Sequence, residues 1–192
     1  MGTASLQADG HARVRATSAR YTGTAQALHW IVVVLMFSVV PLAWVMVNMP
    51  QTAPDRELVY TLHKSVGVTI LALAVIRMAW RATHPPPAPR HAARWDAAVS
   101  TVTHWLLYLI LFLMPVSGYL LSSASGASVS YFGLFDLPAL SRSDAFSNAA
   151  KAVHLTTQWA VYALVLLHLA GTAWHVVVRR DGTLERMLPP QH

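Results

Sequence analysis

The chain has 192 residues, of which 55% are hydrophobic and 11% are charged, and its formal net charge is +6. Soluble domains carry about 25% charged residues, so this composition predicts an integral membrane protein. The chain has no cysteine, which excludes disulfides, haem attachment through Cys-x-x-Cys-His and cysteine-ligated iron–sulfur clusters. Its arginines lie at the ends of apolar segments rather than in one basic stripe, so we expect no nucleic-acid partner.

Four apolar segments are each long enough to cross a hydrocarbon core, which takes about 20 residues. They run from about Thr24 to Val47, Glu57 to Trp80, Trp95 to Leu121 and Ala149 to Val178. We therefore predict an all-α, four-helix membrane bundle over residues 23–180. Residues 1–22 have no apolar core of a signal peptide, and we expect them to form a disordered tail. Residues 181–192 form a second tail.

The connections between the later segments differ in character. The stretch HPPPAPRHAAR between the second and third segments is too rich in proline to be helical through its centre. The connection from Ser122 to Asn148 contains YFGLFDLP, and we expect this aromatic segment to fold onto the surface of the bundle.

The lysines and arginines predict how the bundle is oriented. Of the 14, four lie on one side (Arg56, Lys64, Arg142 and Lys151), and the other ten lie on the side of the two tails and the proline-rich connection. The positive-inside rule then places both termini in the cytoplasm. An even number of spans also requires both termini to lie on the same side.

Six of the ten histidines lie within the segments or at their edges: His29, His63, His104, His154, His168 and His175. An ionisable residue inside a membrane is costly and is a functional candidate by default. Two of the six, His154 and His168, are fourteen residues apart. At 100° per residue this spacing puts both on nearly the same face of one helix, and it separates them by roughly 21 Å along the axis.

The direction of each segment gives each histidine a depth. His154 lies near the outer boundary, as does His63, whereas His168 lies near the inner boundary with His29. The depth-matched pairs are therefore His63 with His154 and His29 with His168. Each pair can hold one haem iron between two neutral imidazoles, which favours electron transfer over oxygen activation. Zinc is a weaker alternative, because it needs three or four ligands at one depth.

Other polar residues near the inner boundary leave alternatives open. His104 begins the third segment at the same level and could replace the first segment's histidine in the inner pair. His175, Arg77 and Arg81 are candidates to contact haem propionates or a quinone, although anchoring at the membrane interface explains them equally well.

Three glycines lie inside the segments, where small residues allow close approach of helices or of a macrocycle. Gly67 follows His63 by one turn and could leave room for a ring, and Gly171 lies beside His168. We interpret Gly118 as a helix-packing residue.

Four motifs in order resemble the bacterial cytochrome b561 family: ALHW, LHKSVG, HWLLYLILFLMPVSGYLLS and VHLTTQW…LLHLAGTAWH. The ending DGTLERMLP resembles it as well, and the resemblance extends from about Tyr21 to Pro189. It implies a four-helix bundle in the inner membrane of a bacterium, with two haem b groups, each held by two histidines. The ligand pairs it implies are His29 with His168 and His63 with His154, while His104 is not a ligand.

Some members of that family resemble a superoxide oxidase, which passes electrons from periplasmic superoxide to ubiquinone. For this chain the resemblance implies that superoxide arrives near the outer pair, drawn by Lys64, Lys151 or Arg142, because cationic residues concentrate an anionic substrate. Ordinary solvated loop charge is an equal explanation of these residues. Quinone would be reduced near the inner boundary, at residues drawn from Arg77, Arg81, His104 and His175.

Two alternative functions remain open. The chain could be a cytochrome b electron-transfer subunit that docks a soluble redox protein, such as a dehydrogenase or a hydrogenase. A cofactor-free structural bundle is the third possibility, but it leaves the matched depths of the histidines unexplained.

Overall fold

The computed structural model describes residues 20–87 and 94–190, and over these ranges the chain has four long helices. They are α1 (Gly23–Asn48), α2 (Arg56–Thr83), α3 (Arg94–Ala124) and α4 (Asp144–Trp174). Each is long and apolar enough to cross a membrane. The predicted all-α membrane bundle with these spanning helices is confirmed.

Polar side chains set the start of two of the helices. Thr22 Oγ1 accepts a hydrogen bond from the Ala25 N–H (3.3 Å) at the start of α1, and Ser143 Oγ accepts one from the Phe146 N–H (3.4 Å) at the start of α4. Each bond satisfies a backbone donor that has no partner inside its helix. The prolines within the first and third segments lie inside α1 and α3.

The bundle is narrow, and much of its apolar surface faces outwards. Close backbone contacts join α1 to α2, α2 to α3 and α3 to α4. Small side chains such as Ser65 and Ala74 are fully buried between the helices. Large apolar side chains such as Trp159 and Leu166 are about 70% exposed (71% and 69%). A surface of this kind is suited to contact with lipid rather than with water.

The connection between α3 and α4 folds back along α2, as the sequence predicts for this segment. It forms a short antiparallel hairpin of β1 (Ser130–Tyr131) and β2 (Phe135–Asp136). The connection is shorter than the expected 122–148, because α3 continues to Ala124 and α4 begins at Asp144.

Beyond α4 the chain turns back to the beginning of α1. A π-helical turn (His175–Arg179) is followed by a short 3₁₀ helix (Leu184–Met187). Trp30 Nε1 donates to the Met187 carbonyl (2.7 Å), and Gln26 Nε2 donates to the Leu188 carbonyl (3.1 Å). The predicted C-terminal tail is therefore docked on α1 over its described part.

Two predictions about the chain's ends stay predictions. The expected disordered tail falls mostly on residues 1–19, which lie outside the described residues, as do 88–93 of the proline-rich connection. The cytoplasmic location of both termini rests on the distribution of charge alone. We keep "outer" and "inner" below for the two ends of the bundle that this distribution predicts.

Candidate functional site

The structure brings four of the spanning histidines together as two pairs. The rings of His63 on α2 and His154 on α4 lie 6.5 Å apart between centroids, and we call them the outer pair. The rings of His29 on α1 and His168 on α4 lie 6.3 Å apart and form the inner pair. Since α4 is unbroken from Asp144 to Trp174, one helix contributes an imidazole to each pair.

The spacing of both pairs fits a single metal ion between two imidazoles. Two metal–nitrogen bonds of about 2.0 Å and two ring radii of about 1.1 Å add up to a centroid separation of about 6.2 Å. The observed separations are 6.3 and 6.5 Å, with the ring planes at 75° and 83° to each other. In the described part of the chain, no group of three or more His, Asp or Glu side chains could hold a metal ion, as a zinc site requires.

The outer pair lines a cavity between the helices, and part of this cavity is open to the surroundings. All four helices contribute to its walls, which are largely apolar and include Met36, Val40, Ile70, Leu111, Pro115 and Val161. Besides the two imidazoles, the polar side chains on the wall are those of Gln158 and Tyr162, in the described part of the chain.

One nitrogen of His154 is already bound to α3. Its Nδ1 lies 3.0 Å from the Met114 carbonyl oxygen and 3.1 Å from Ser117 Oγ. A carbonyl oxygen only accepts, so Nδ1 carries the proton and Nε2 presents a lone pair. A histidine that ligates a metal usually has its other nitrogen held in this way.

Gly118 allows the His154 ring to lie against α3. A Cβ atom at position 118 would come within 3.0 Å of the ring's Cε1 atom. We interpreted this glycine as a helix-packing residue, but its close neighbour is the imidazole of the outer pair. The absence of a side chain therefore serves the position of the ring.

His63 presents a buried nitrogen to the same cavity. Among the described residues its Nδ1 has no partner in full hydrogen-bond geometry, although the Val39 carbonyl faces the ring from α1. The Val39 backbone thus acts on the His63 imidazole as a hydrogen-bond acceptor from α1. Gly67 lines the cavity, with open space around its Cβ position, as expected for a glycine that leaves room for a ring.

One ring of the inner pair, that of His29, is hydrogen-bonded to an arginine. Arg77 Nη1 donates to His29 Nδ1 (2.8 Å), while Arg77 Nε donates to the Tyr108 hydroxyl (3.1 Å). A guanidinium has no acceptor, so Nδ1 of His29 carries the lone pair and Nε2 carries the proton. This is the opposite tautomer to that of His154.

A third imidazole, that of His104, lies beside the inner pair. Its centroid is 5.4 Å from that of His168, and its Nδ1 lies 2.6 Å from the Ser100 carbonyl, to which it donates. Its Nε2 is therefore free to bind a metal, whereas 5.4 Å is short for a metal ion between two rings. The separation of the ring centroids favours His29 as the partner of His168. The position of the ring proton favours His104, because its Nε2 carries a lone pair whereas that of His29 carries a proton.

The other residues predicted at the inner site have contacts of their own. The Arg81 guanidinium lies over the rings of Trp105 (5.9 Å) and Tyr108 (5.8 Å). His175 Nδ1 lies 2.7 Å from a carboxylate oxygen of Asp181. Burial raises the pKa of that carboxyl, but hydrogen bonds from Thr183 and His175 outweigh burial and hold the pKa below its usual value.

The three cationic residues predicted to attract superoxide at the outer end have different surroundings. Lys64 Nζ donates to the Ser128 carbonyl (3.2 Å), which ties α2 to the α3–α4 connection. Arg142 pairs with Asp144 (3.4 Å), and Lys151 is exposed on α4.

Sequence reasoning missed the partners of the imidazoles. Ser117 and the Met114 carbonyl, which contact His154, had no recognisable signal, and neither had Tyr108, which accepts a hydrogen bond from Arg77. Each of these contacts crosses a helix–helix interface. The pairing of Ser117 with the adjacent Gly118, just after a proline, is the pattern that comes nearest to one.

The comparisons with known proteins agree on one family. The model of prokaryotic cytochrome b561 matches residues 20–190. "Cytochrome b561 homolog 2" of Escherichia coli (strain K12) is 34% identical over 174 residues, covering 90% of this chain and 93% of the relative. "Probable superoxide oxidase CybB" of Yersinia pestis is 27% identical over 173 residues, covering 88% of this chain and 96% of the relative. "Cytochrome b561 homolog 1" of Escherichia coli (strain K12) is 25% identical, with 88% and 97% covered.

The match spans nearly the whole chain, as the resemblance of the motifs predicted. With its four spanning helices and its paired imidazoles, the chain belongs to the prokaryotic cytochrome b561 family of haem b membrane electron-transfer proteins.

Proposed function

We propose that this chain is a di-haem superoxide oxidase, which passes electrons from superoxide at its outer end to ubiquinone at its inner end. The observation that carries the proposal is the presence of two imidazole pairs with metal-bridging spacing at two depths of one bundle. Their members on α4 are fourteen residues apart, or roughly 21 Å along the axis.

In this proposal His63 and His154 hold one haem b and His29 and His168 hold the other. When bound, haem b would supply a one-electron iron couple. The residues of the chain orient the ligands: the Met114 carbonyl fixes the tautomer of His154. The largely apolar walls of the outer cavity would suit an apolar macrocycle.

Superoxide can be attracted to the outer end by individual cations but not by the net charge of that end. The outer side carries four cationic residues and also four acidic ones (Asp55, Glu57, Asp136 and Asp144), so its net formal charge is zero. Lys64 is half-buried, adjacent in sequence to His63, and fixed by the Ser128 carbonyl. A cation fixed beside the outer pair favours approach of an anion there even without net charge. Lys151 is the second cation that we propose for this role. The similarity to the probable superoxide oxidase of Yersinia pestis supports superoxide as the donor.

The inner end offers proton and hydrogen-bond donors for quinone. Two superoxide anions, one ubiquinone and two protons yield two O₂ and one ubiquinol, so protons are needed where quinone binds. Arg77 and Arg81 lie around the inner pair and can donate to a quinone oxygen, whereas the Nε2 atom of His104 carries a lone pair and can accept a hydrogen bond from a quinol hydroxyl. The His175–Asp181 pair can hold a proton at the imidazole nitrogen.

Rapid mixing with superoxide tests the proposal. The purified protein, in vesicles that contain ubiquinone, should show haem reduction on mixing, followed by formation of ubiquinol. The Lys64→Gln variant should react more slowly with superoxide, and Arg142→Gln, which removes a cation already paired with Asp144, should serve as its matched control.

Reduction of the haems by ubiquinol but not by superoxide would remove the oxidase assignment. Co-purification of the chain with a soluble dehydrogenase or hydrogenase would instead favour the alternative, a cytochrome b subunit that docks a redox partner.

A further inference from the structure

The hairpin between α3 and α4 covers a polar stripe on the outer half of α2. Ser65 Oγ accepts a hydrogen bond from the Phe132 N–H (2.8 Å) and donates to the Thr61 carbonyl (2.7 Å). The hydroxyls of Thr69 and Tyr131 lie 3.1 Å apart. These contacts leave Ser65 fully buried.

The same stripe of α2 continues inwards as an exposed apolar surface. Ser65, Thr69, Ala72 and Ile76 are spaced by four, three and four residues, which keeps them within an arc of about 60° on one helix face. Ala72 is exposed, and Ile76 is 50% exposed. In a membrane-spanning helix this inner half faces lipid, so the hairpin lies where lipid would otherwise meet the hydroxyls of the outer half.

The depth of the hairpin follows from its attachment to α2. Ser65 lies nine residues inside the outer end of the helix at Arg56, or roughly 14 Å along the axis. Ser65 is also two residues further inwards than His63 of the outer pair. The hairpin is therefore at the level of the outer membrane interface and not in the aqueous phase above it, a level at which aromatic side chains are favoured.

The face that the hairpin turns away from α2 is apolar. Leu134 is 76% exposed, Phe135 is 56% exposed and Phe132 is 43% exposed. Phe132 and Gly133 both have positive φ (51° and 73°), and a bulky residue rarely adopts this conformation. The bond to Ser65 holds Phe132 in it, so the exposed turn is a fixed structure.

We propose that the turn formed by Phe132, Leu134 and Phe135 inserts into the outer leaflet of the bilayer, where its partner is the boundary between headgroups and acyl chains. The apolar turn continues the lipid-facing surface of α2 and shields the hydroxyls beneath it. Insertion also fixes Ser128, whose carbonyl holds Lys64 beside the outer pair.

The absence of cysteine from the chain makes a direct test possible, because one introduced cysteine can be labelled alone. We would attach a nitroxide at Leu134→Cys, at Ile76→Cys and at Ser141→Cys, in nanodiscs of phosphatidylethanolamine and phosphatidylglycerol with one chain each. Ile76 is a lipid-facing reference on α2, and Ser141 is an exposed control in the same connection beyond the hairpin. Haem content and circular dichroism would verify that each labelled variant is folded.

We expect the label at position 134 to behave like that at 76, accessible to O₂ and shielded from a water-soluble nickel chelate. The ratio of O₂ to nickel accessibility should be several-fold higher at 134 than at 141. Equal nickel accessibility at 134 and 141 would place the turn in water and overturn the proposal. Shielding of position 134 from both reagents would also overturn it, because the turn would then be covered by protein.

Discussion

The outer and inner imidazole pairs have nearly the same spacing but opposite hydrogen bonding. At the outer pair, His154 already donates its Nδ1 proton to a carbonyl and presents Nε2 to a largely apolar cavity. At the inner pair, Arg77 donates to Nδ1 of His29, so Nε2 of that ring carries the proton. The outer pair is therefore arranged to ligate a metal as it stands, whereas His29 can ligate through Nε2 only after its Nδ1 contact with Arg77 Nη1 breaks. The bond from Arg77 Nε to Tyr108 keeps the guanidinium near the inner pair in that case.

The two pairs also differ in the charge of the side chains around them. The surroundings of the outer pair are mainly apolar, while the guanidinium of Arg77 contacts the inner pair directly and Arg81 lies close by, against Tyr108. A nearby cation favours the reduced form of a haem, because reduction adds negative charge. We therefore expect the inner haem to have the higher reduction potential, so that electrons move inwards.

The largest expected effect separates His29 from His104 as the partner of His168. We expect His29→Ala to lose one haem and His104→Ala to keep both, because the His29 ring has the spacing that a bridging metal ion requires. Haem content per folded chain is the measurement. Loss of a haem from His104→Ala but not from His29→Ala would make His104 the second ligand of the inner site. The position of the ring proton, and not the separation of the rings, would then determine which histidine pairs with His168.

A second substitution acts on the outer pair alone. A side chain at position 118 has to displace the His154 ring, so Gly118→Val should empty or distort the outer site; overpacking of this kind costs about 1–3 kcal/mol. The haem spectrum and the thermal unfolding temperature would show the change. Gly171→Val is the matched control, since no atom lies within 4 Å of the Cβ position of this glycine. Equal losses in both variants would mean that glycine matters for the helices in general and not for the ring.

The charge difference can be tested by potentiometric titration. A unit charge about 10 Å away at an effective dielectric constant of about 20 contributes about 1.7 kcal/mol, so Arg77→Gln should lower the inner potential by roughly 70 mV. Lys64→Gln should lower the outer potential by less, because Lys64 is only half-buried and solvent screens it. An unchanged or raised inner potential in Arg77→Gln would contradict the proposed direction of electron flow.

The smallest expected effect concerns the hydrogen-bonded carboxylate of Asp181, beyond the inner pair. The pKa of Asp181 is lower in the folded protein than its usual value, so the carboxylate stabilises the fold above its unfolded pKa of about 4. That contribution is lost as the pH falls through the folded value. Thermal unfolding temperatures between pH 7 and pH 3 should therefore fall less steeply in Asp181→Asn than in the unchanged protein. Parallel curves would show that this carboxylate does not contribute to stability.

The helices, and which histidine lies opposite which, could be predicted because both depend on periodicity along the chain. Apolar length predicts the spanning helices, and helical spacing places His154 and His168 on one face. Alternating direction then gives each histidine a depth and a neighbour. No knowledge of side-chain packing is needed for these steps.

The contacts that hold the rings could not be predicted in the same way. The bond from His154 to the Met114 carbonyl and the bond from Arg77 to His29 join residues 40 and 48 positions apart. Such bonds depend on how two helices are rotated against each other and on which rotamer each side chain adopts. The contact of Ser65 with the hairpin likewise depends on the path of a long connection, for which the sequence has no periodic pattern.

The count of haems in three purified and folded proteins tests the central claim most directly. We expect two haem b groups per chain in the unchanged protein, and one each in His154→Ala and His168→Ala, with the remaining haem differing in potential between the two variants. One haem in the unchanged protein, or loss of both haems from either folded variant, would contradict the existence of two independent bis-imidazole sites.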